Sequence, residues 1–375
     1  MSERIYLSSP HMGGQEIKFI QEAFDTNWIS PVGPHLAGFE QDLSEFVGVP
    51  YVAALASGTA AIHLALINLE VGRDDWVICS SFTFAASAYP ISYLGAEPIF
   101  IDSEAESWNM DPVLLEQALL DCQKKGKMPK AIILVHLYGM PAKLDEILKI
   151  ANQYQIPIVE DAAEGLGSNY KGKMLGSFGE MSVLSFNGNK IITTSGGGAL
   201  LSKNEEYISN SRFLATQARD PAPHYQHSKV GFNYRMSNIC AGIGRGQLQV
   251  IEDRVKKRRE NYEFYEQQLS QVEGIVFLPE PEGFYSNRWL TCIQIDSKKT
   301  GITPEDIRLE LEASNIETRP LWKPMHLQPL YKDCKSWQNG ISDQLFENGL
   351  CLPSGSNLTN ADLERIIEQI FAVLP

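Results

Sequence analysis

No two cysteines in this chain sit at a metal-binding or redox spacing. The six, Cys79, Cys122, Cys240, Cys292, Cys334 and Cys351, are scattered singly along 375 residues. That argues against a CxxC redox centre or a zinc knuckle and favours a reducing compartment, the cytoplasm. No apolar run reaches about 18 residues, so no membrane span is expected. Met1–Pro10 lacks the apolar core of a secretory signal. Positive charge is in short supply: 32 Lys and Arg against 46 Asp and Glu leave a net charge of −14. Nucleic acid and membrane surfaces are therefore poor partners, although a local site can still receive a small anion. A Gly-Lys-Ser/Thr phosphate loop is missing. No G-x-G-x-x-G follows a strand either, because Gly196-Gly197-Gly198 precedes the strand-like Ala199-Leu200-Leu201. A flavin or NAD oxidoreductase is disfavoured on that ground. His224 and His227 have no acidic or cysteine partner at ligand spacing, so no metal is expected.

What the chain does have is alternation. Tyr51–Ala56, Trp76–Cys79, Pro98–Asp102, Ala131–Val135 and Ile156–Val159 are short apolar runs that end in small or acidic residues, with helical patterns between them. This predicts an α/β domain with a mixed, mostly parallel sheet flanked by helices. Ligands of such sheets bind beyond the carboxyl ends of the strands. From about residue 240 the pattern changes. Gln247–Gln271 is a long charged helical stretch, and its run Lys256-Lys257-Arg258-Arg259 lies among acids and reads as a solvated face. Thr303-Pro304-Glu305-Asp306 starts a helix. Thr359-Asn360-Ala361-Asp362 opens another, with Leu363, Ile366, Ile367, Ile370, Phe371 and Leu374 at helical spacing. A large domain over 1–240 and a smaller α+β domain over 241–375 are expected.

Three segments carry chemistry. Ser57-Gly58-Thr59 joins a strand to a helix, where exposed amides and the helix dipole suit a phosphate; a plain capped turn is the other reading. Asp161 ends the run Ile156–Val159 and Glu160. It suits a protonated ring nitrogen, or else an N-cap. Lys190 lies in Ser185-Phe186-Asn187-Gly188-Asn189-Lys190, ahead of a Gly-rich loop. Alone it reads as an ordinary solvated lysine, but a lysine whose amine is partly neutral forms Schiff bases. A phosphate-cradling turn, a strand-end acid and a loop lysine occur in the order that pyridoxal phosphate enzymes use.

The chain resembles the sugar aminotransferases of the DegT/DnrJ/StrS family, which share the type I, aspartate-aminotransferase fold. The resemblance runs over nearly the whole length. It is carried by Ser57–Ala61, Ser81-Phe82-Thr83-Phe84, His136-Leu137-Tyr138-Gly139, Glu160-Asp161-Ala162-Ala163, Ser185–Lys190 and Gly231-Phe232-Asn233-Tyr234-Arg235-Met236-Ser237-Asn238. It implies that Lys190 is the Schiff-base lysine and that Asp161 pairs with the pyridine nitrogen of pyridoxal 5'-phosphate. Phe84, otherwise a core aromatic, would stack on the ring. Ser57, Gly58, Thr59 and Ser185 would hold the phosphate. Asn233 would reach the cofactor phosphate of a neighbouring subunit, so a homodimer with shared sites is implied.

Glu164 would lie near the O3' oxygen, where many relatives have Gln or His. A carboxylate there would face a like charge unless it were protonated or turned away. Asn27-Trp28-Ile29-Ser30 resembles a segment that contacts a nucleotide-sugar. Arg319, Trp322, Lys323 and His326 resemble a substrate loop; a plain surface loop is the alternative. Arg319 and Lys323 suit a diphosphate.

The implied reaction takes an amino group from glutamate, with pyridoxamine phosphate as the intermediate, and passes it to C4 of a nucleotide-linked keto-sugar for surface glycan synthesis. Freed Lys190 would be the base that moves the proton. The nearest resemblance is to enzymes acting on UDP-linked 2-acetamido-2,6-dideoxy-4-keto-hexoses; a dTDP-linked keto-sugar is the alternative. Sugar dehydratases of this fold that remove the C3 hydroxyl carry histidine at the lysine position, so Lys190 argues against that activity. A non-catalytic cofactor or nucleotide-sugar sensor would lack Lys190, Asp161 or Asn233, and all three are present.

Overall fold

The computed structural model describes residues 3–375. Eight strands build its main sheet: β1 (Tyr51–Leu55), β2 (Trp76–Ser80), β3 (Glu97–Ile101), β4 (Ala131–Val135), β5 (Ile158–Asp161), β6 (Met181–Ser185), β7 (Gly198–Ser202) and β8 (Lys335–Trp337). Their spatial order is β1-β7-β6-β5-β4-β2-β3-β8. β7 runs antiparallel to both neighbours, and every other pairing is parallel. The expected mixed, mostly parallel α/β sheet is therefore present. β2 and β4 are buried along their whole lengths, as a sheet covered on both faces requires. One apolar cluster fills each side of the sheet.

A second, four-stranded sheet joins Ile275–Phe277, Thr291–Ile295, Gly349–Leu352 and Arg319–Pro320 in that spatial order. The helices Ile251–Leu269, Pro304–Ala313 and Asn360–Val373 share an apolar core with it. The capping box expected at Thr359 forms with Asp362, and the helix start at Thr303 proves to be a second full box, with Asp306. In the last helix Leu363, Ile366, Ile367 and Ile370 are buried, whereas Phe371 is exposed.

Two sequence readings need correction. The charged stretch from Gln247 is not one helix: Asn238–Leu248 ends, and Ile251–Leu269 begins after Val250. The basic run is a solvated face only in part: Lys256 is exposed, but its arginines turn inward. Arg258 is 1% exposed and donates to the Trp289 carbonyl and the Ser8 hydroxyl. Burial, with Arg254 adding like charge, pushes its guanidinium down to about 9. Arg259 pairs with Glu280 and lies over the Tyr285 ring.

The chain crosses residue 240 in both directions. Ile5 bridges to Ile316 and packs in the core of the second sheet. β8 joins the main sheet beside β3. A buried carboxylate fastens that crossing. Asp102, just past β3, accepts the amides of Asn339 (3.1 Å), Gly340 (2.9 Å) and Ser342 (3.1 Å). These lead into the helix Ile341–Asn348, so Asp102 satisfies donors that a helix start leaves orphaned. Asp102→Ala should cost on the order of 3 kcal/mol, because buried amides lose a charged acceptor. Thermal melts of the variant against the parent check this; an unchanged melting temperature would show that water replaces the carboxylate.

Candidate active site

The parallel strands β1, β2, β4, β5 and β6 end on one edge of the sheet, and a cavity of about 480 Å³ opens there. Its first wall follows β1. Ser57 is extended, and its hydroxyl accepts the Ala60 amide at 3.0 Å, capping the helix Gly58–Asn68. The first amides of a helix have no partner within it and carry the positive end of its dipole. Gly58 sits close to the next strand end: a Cβ there would come to 3.2 Å from the Ser185 Cβ, a tight approach that one side chain would have to yield to. Gly198, opposite in β7, would clash outright, at 2.4 Å from the Gly58 nitrogen.

The second wall is acidic. β5 ends in two carboxylates that point to opposite faces, as strand geometry dictates. Glu160 is buried away from the cavity. Burial pushes its carboxyl up, but His136 and the amides of Gly176 and Phe178 outweigh that and hold it below its usual value. His136 Nδ1 accepts the Ala142 amide, so the proton toward Glu160 is assigned to Nε2. Asp161 faces the cavity and is 5% exposed. It accepts the Ser87 hydroxyl at 2.7 Å and the Ala163 amide at 3.2 Å, and no ion pair to it forms among the described residues. A buried carboxylate aimed into a cavity without a cation fits a ligand that brings its own N–H⁺.

Lys190 closes the floor from the loop between β6 and β7. Its Nζ lies 3.3 Å from Glu164 Oε1 and 4.1 Å from the centroid of the Trp289 ring. The second oxygen of Glu164 accepts the Tyr138 amide at 2.7 Å. Tyr138 is held at φ +52, and its hydroxyl accepts the Trp322 amide at 3.0 Å. Asn287 clamps the other side: its amide group donates to the Glu164 carbonyl, and its oxygen accepts from Trp289 N–H. A Cβ at Gly139 would fall 1.9 Å from that oxygen. Phe84 is half open, and its ring tilts against Trp322 at 5.5 Å.

Ser57, Gly58, Thr59, Phe84, Asp161, Glu164, Ser185, Lys190, Arg319 and Trp322 thus line one cavity. The other sequence-named residues lie elsewhere. Asn27, Trp28, Ile29 and Ser30 are exposed, tied down by Asn238, which donates to the Trp28 carbonyl and gives its amide to Ser30. Asn233 is exposed in an isolated bridge to Thr216. Lys323 points to solvent. His326 is buried between the Ser81 hydroxyl (2.6 Å) and Asp343 (2.8 Å), facing away from the cavity. Ser87, Asn287 and Trp289 went unnamed in the sequence, and Tyr138 was named only within a motif, with no role. Ser87 follows the Ser81–Phe84 motif closely enough to have been tried as a partner for Asp161. Asn287 and Trp289 belong to no motif.

Comparison with known proteins gives the family and the fold. Residues 10–371 match the DegT/DnrJ/EryC1/StrS aminotransferase family. A Bacillus subtilis protein named as a pyridoxal phosphate-dependent aminotransferase, EpsN, is 52% identical over 98% of this chain and 95% of its own. GDP-perosamine synthase of Caulobacter vibrioides is 36% identical over 99% and 98%. The solved pyridoxal phosphate form of the sugar aminotransferase Spr1654 from Streptococcus pneumoniae superposes with a TM-score of 0.89, at 28% identity, over 99% of this chain and 98% of that one. The chain belongs to the DegT/DnrJ/EryC1/StrS aminotransferase family. It is a pyridoxal phosphate-dependent sugar aminotransferase of fold type I. No helix among the described residues is long and apolar enough to cross a membrane.

Glu164 also makes a stability prediction. Burial, against the nearby Lys190 charge, lifts its carboxyl from 4.5 to about 7. The folded protein then holds this proton more tightly than the unfolded chain does. The group's contribution to stability is complete below its unfolded value and is lost as pH rises through about 7. Glu164→Gln in cofactor-free protein should therefore gain melting temperature relative to the parent at about pH 8 compared with about pH 5. Calorimetry at the two pH values checks this; an equal difference at both would mean that Glu164 ionises as an ordinary carboxylate.

Proposed function

We propose that this enzyme transfers an amino group from L-glutamate to C4 of a UDP-linked 2-acetamido-2,6-dideoxy-4-keto-hexose, in the cytoplasm, for surface glycan synthesis. The observation that carries the transfer chemistry is Lys190 on the cavity floor, between a helix N-terminus and the cation-free Asp161. Pyridoxal phosphate, when bound, supplies the electron sink for proton transfer at carbon. This chain's residues do the rest. The Gly58 and Thr59 amides and the Ser185 hydroxyl receive the phosphate. Asp161, oriented by Ser87, keeps a proton on the ring nitrogen. Phe84 covers the ring, and Trp322 and Trp289 limit water. The Lys190 amine carries the proton between carbon atoms, which calls for a proton affinity near the working pH.

Arg319 at the cavity rim, with Lys323 beyond it, is the proposed landing place for the acceptor's diphosphate. The 36% likeness to a GDP-perosamine synthase favours a second reading, a GDP-linked acceptor. We place Asn233 and the Asn27–Ser30 segment at the neighbouring subunit's site. Their exposure, and their absence from the cavity wall of their own chain, support a homodimer.

Borohydride treatment of the yellow enzyme should fix the cofactor on Lys190, and Lys190→Ala should abolish amine transfer while still binding the cofactor. Peptide mapping that finds the label on another lysine would sink the assignment. Glutamate-dependent amination of a panel of UDP-, GDP- and dTDP-linked 4-keto-6-deoxy sugars, with NMR of the products, identifies the acceptor. Asn233→Ala should loosen the cofactor, and in mixed dimers the loss should appear at the unmutated partner's site. A defect confined to the mutated subunit's own site would reject the shared-site arrangement.

A further inference from the structure

Glu164 and Lys190 face one another at the floor of the cavity, 3.3 Å apart, and neither has a second ion-pair partner among the described residues. Glu164 cannot turn to water. It is 5% exposed, its Oε2 is taken by the Tyr138 amide, and its carbonyl is held by Asn287. Three other titratable groups act on it or feel it: Asp161 from β5, the Tyr138 phenol from the turn after β4, and Cys292 from the second sheet. None brings positive charge. If Lys190 loses its charge, Glu164 is left as an unpaired carboxylate in a dry site, with Asp161 as a like charge. Such a group takes up a proton instead.

We propose that Glu164 is the second seat of the Lys190 proton, taking it when the amine turns to bond a carbonyl carbon and returning it when the amine is freed. The N–H bond breaks and leaves its electron pair on Nζ as the attacking lone pair; as nitrogen bonds the carbon, the C–O bond breaks and the oxygen leaves as water with the amine's other two protons. The O–H bond forms from a carboxylate lone pair on Oε1. The freed amine returns to the Trp289 face and to within 3.3 Å of Oε1, the distance over which the proton passes back. The Glu164 carboxyl is already lifted to about 7 with Lys190 charged beside it. A catalytic carboxyl at this position also answers why glutamate is tolerated there. The inference rests on Lys190 being the Schiff-base lysine and adds a proton partner to it.

The test uses cofactor-free protein with ¹³C-labelled glutamate. The acid C=O band of Glu164 is isolated by infrared difference against the same protein carrying Glu164→Gln. In Lys190→Met the Glu164 midpoint should rise by at least about one pH unit over the parent, the effect of removing a charge at this distance. Should Lys190→Met fail to fold, cyanate carbamylation of Lys190 in the folded parent neutralises the same nitrogen and should give the same rise. An unchanged midpoint on neutralising Lys190 overturns the proposal. Borohydride labelling of Lys190 with an unchanged Glu164 midpoint would refute the proton partnership alone. A label on another lysine would refute the underlying assignment.

Discussion

The active site depends on how closely β7 approaches the end of β1. β7 is the one antiparallel strand of the main sheet, and it lies between β1 and β6. Gly198 begins it, against the Ser57–Gly58 backbone, where a Cβ would overlap at 2.4 Å. That contact sets the capped helix start beside Ser185 and lets the β6–β7 loop fold Lys190 back over the strand ends. The parallel strands contribute Asp161 and Ser87 to the same edge, where open α/β sheets bind ligands. Without the close approach, the anion-binding amides and the lysine would belong to separate surfaces.

Behind Lys190 a connected set of hydrogen bonds fixes the floor. Tyr138 joins Glu164 to Trp322, and Asn287 joins Glu164 to Trp289. Burial pushes the Tyr138 phenol well above its usual range, so it keeps its proton and the link to Trp322 is insensitive to pH. Charge can change at Glu164 and Lys190 while the surrounding geometry stays in place. Reactive sites need this preorganisation, with groups held by neighbours that do not titrate with them.

The parts legible in the sequence were those with local signals. Ser57–Thr59, Asp161 and Lys190 stand where strand, turn and helix patterns change, and those patterns predict the edge they share. The helix start at Thr303 and the capping box at Thr359 were readable for the same reason. What escaped comes from pairing at long range. Ser87 meets Asp161 across 74 positions, and Asn287 reaches Glu164 across 123; no periodicity announces either contact. Arg258 misled because its charge pattern suits a surface, while the fold buries it under Trp289 and Ser8. His326 sits in a substrate-like loop, yet Ser81 and Asp343 turn it inward.

The bridge between Ile5 and Ile316 bears on when the protein becomes competent. Leu7 gives its amide to Glu317, and Ser8 gives its hydroxyl to Asn189, so the cavity's outer wall joins the start of the chain to its final third. β1 to β7 all lie within the first 202 residues, although β1 must wait for β7, its sheet neighbour nearly 150 residues on. Arg319, Trp322 and Cys351 arrive much later, and contacts that span hundreds of residues close slowly. The lysine and the anion-binding turn therefore come from the first 190 residues of the chain, and most of the wall opposite them from residues after 285. Closing the pocket is thus a long-range event in the fold, of the kind that topology makes slow.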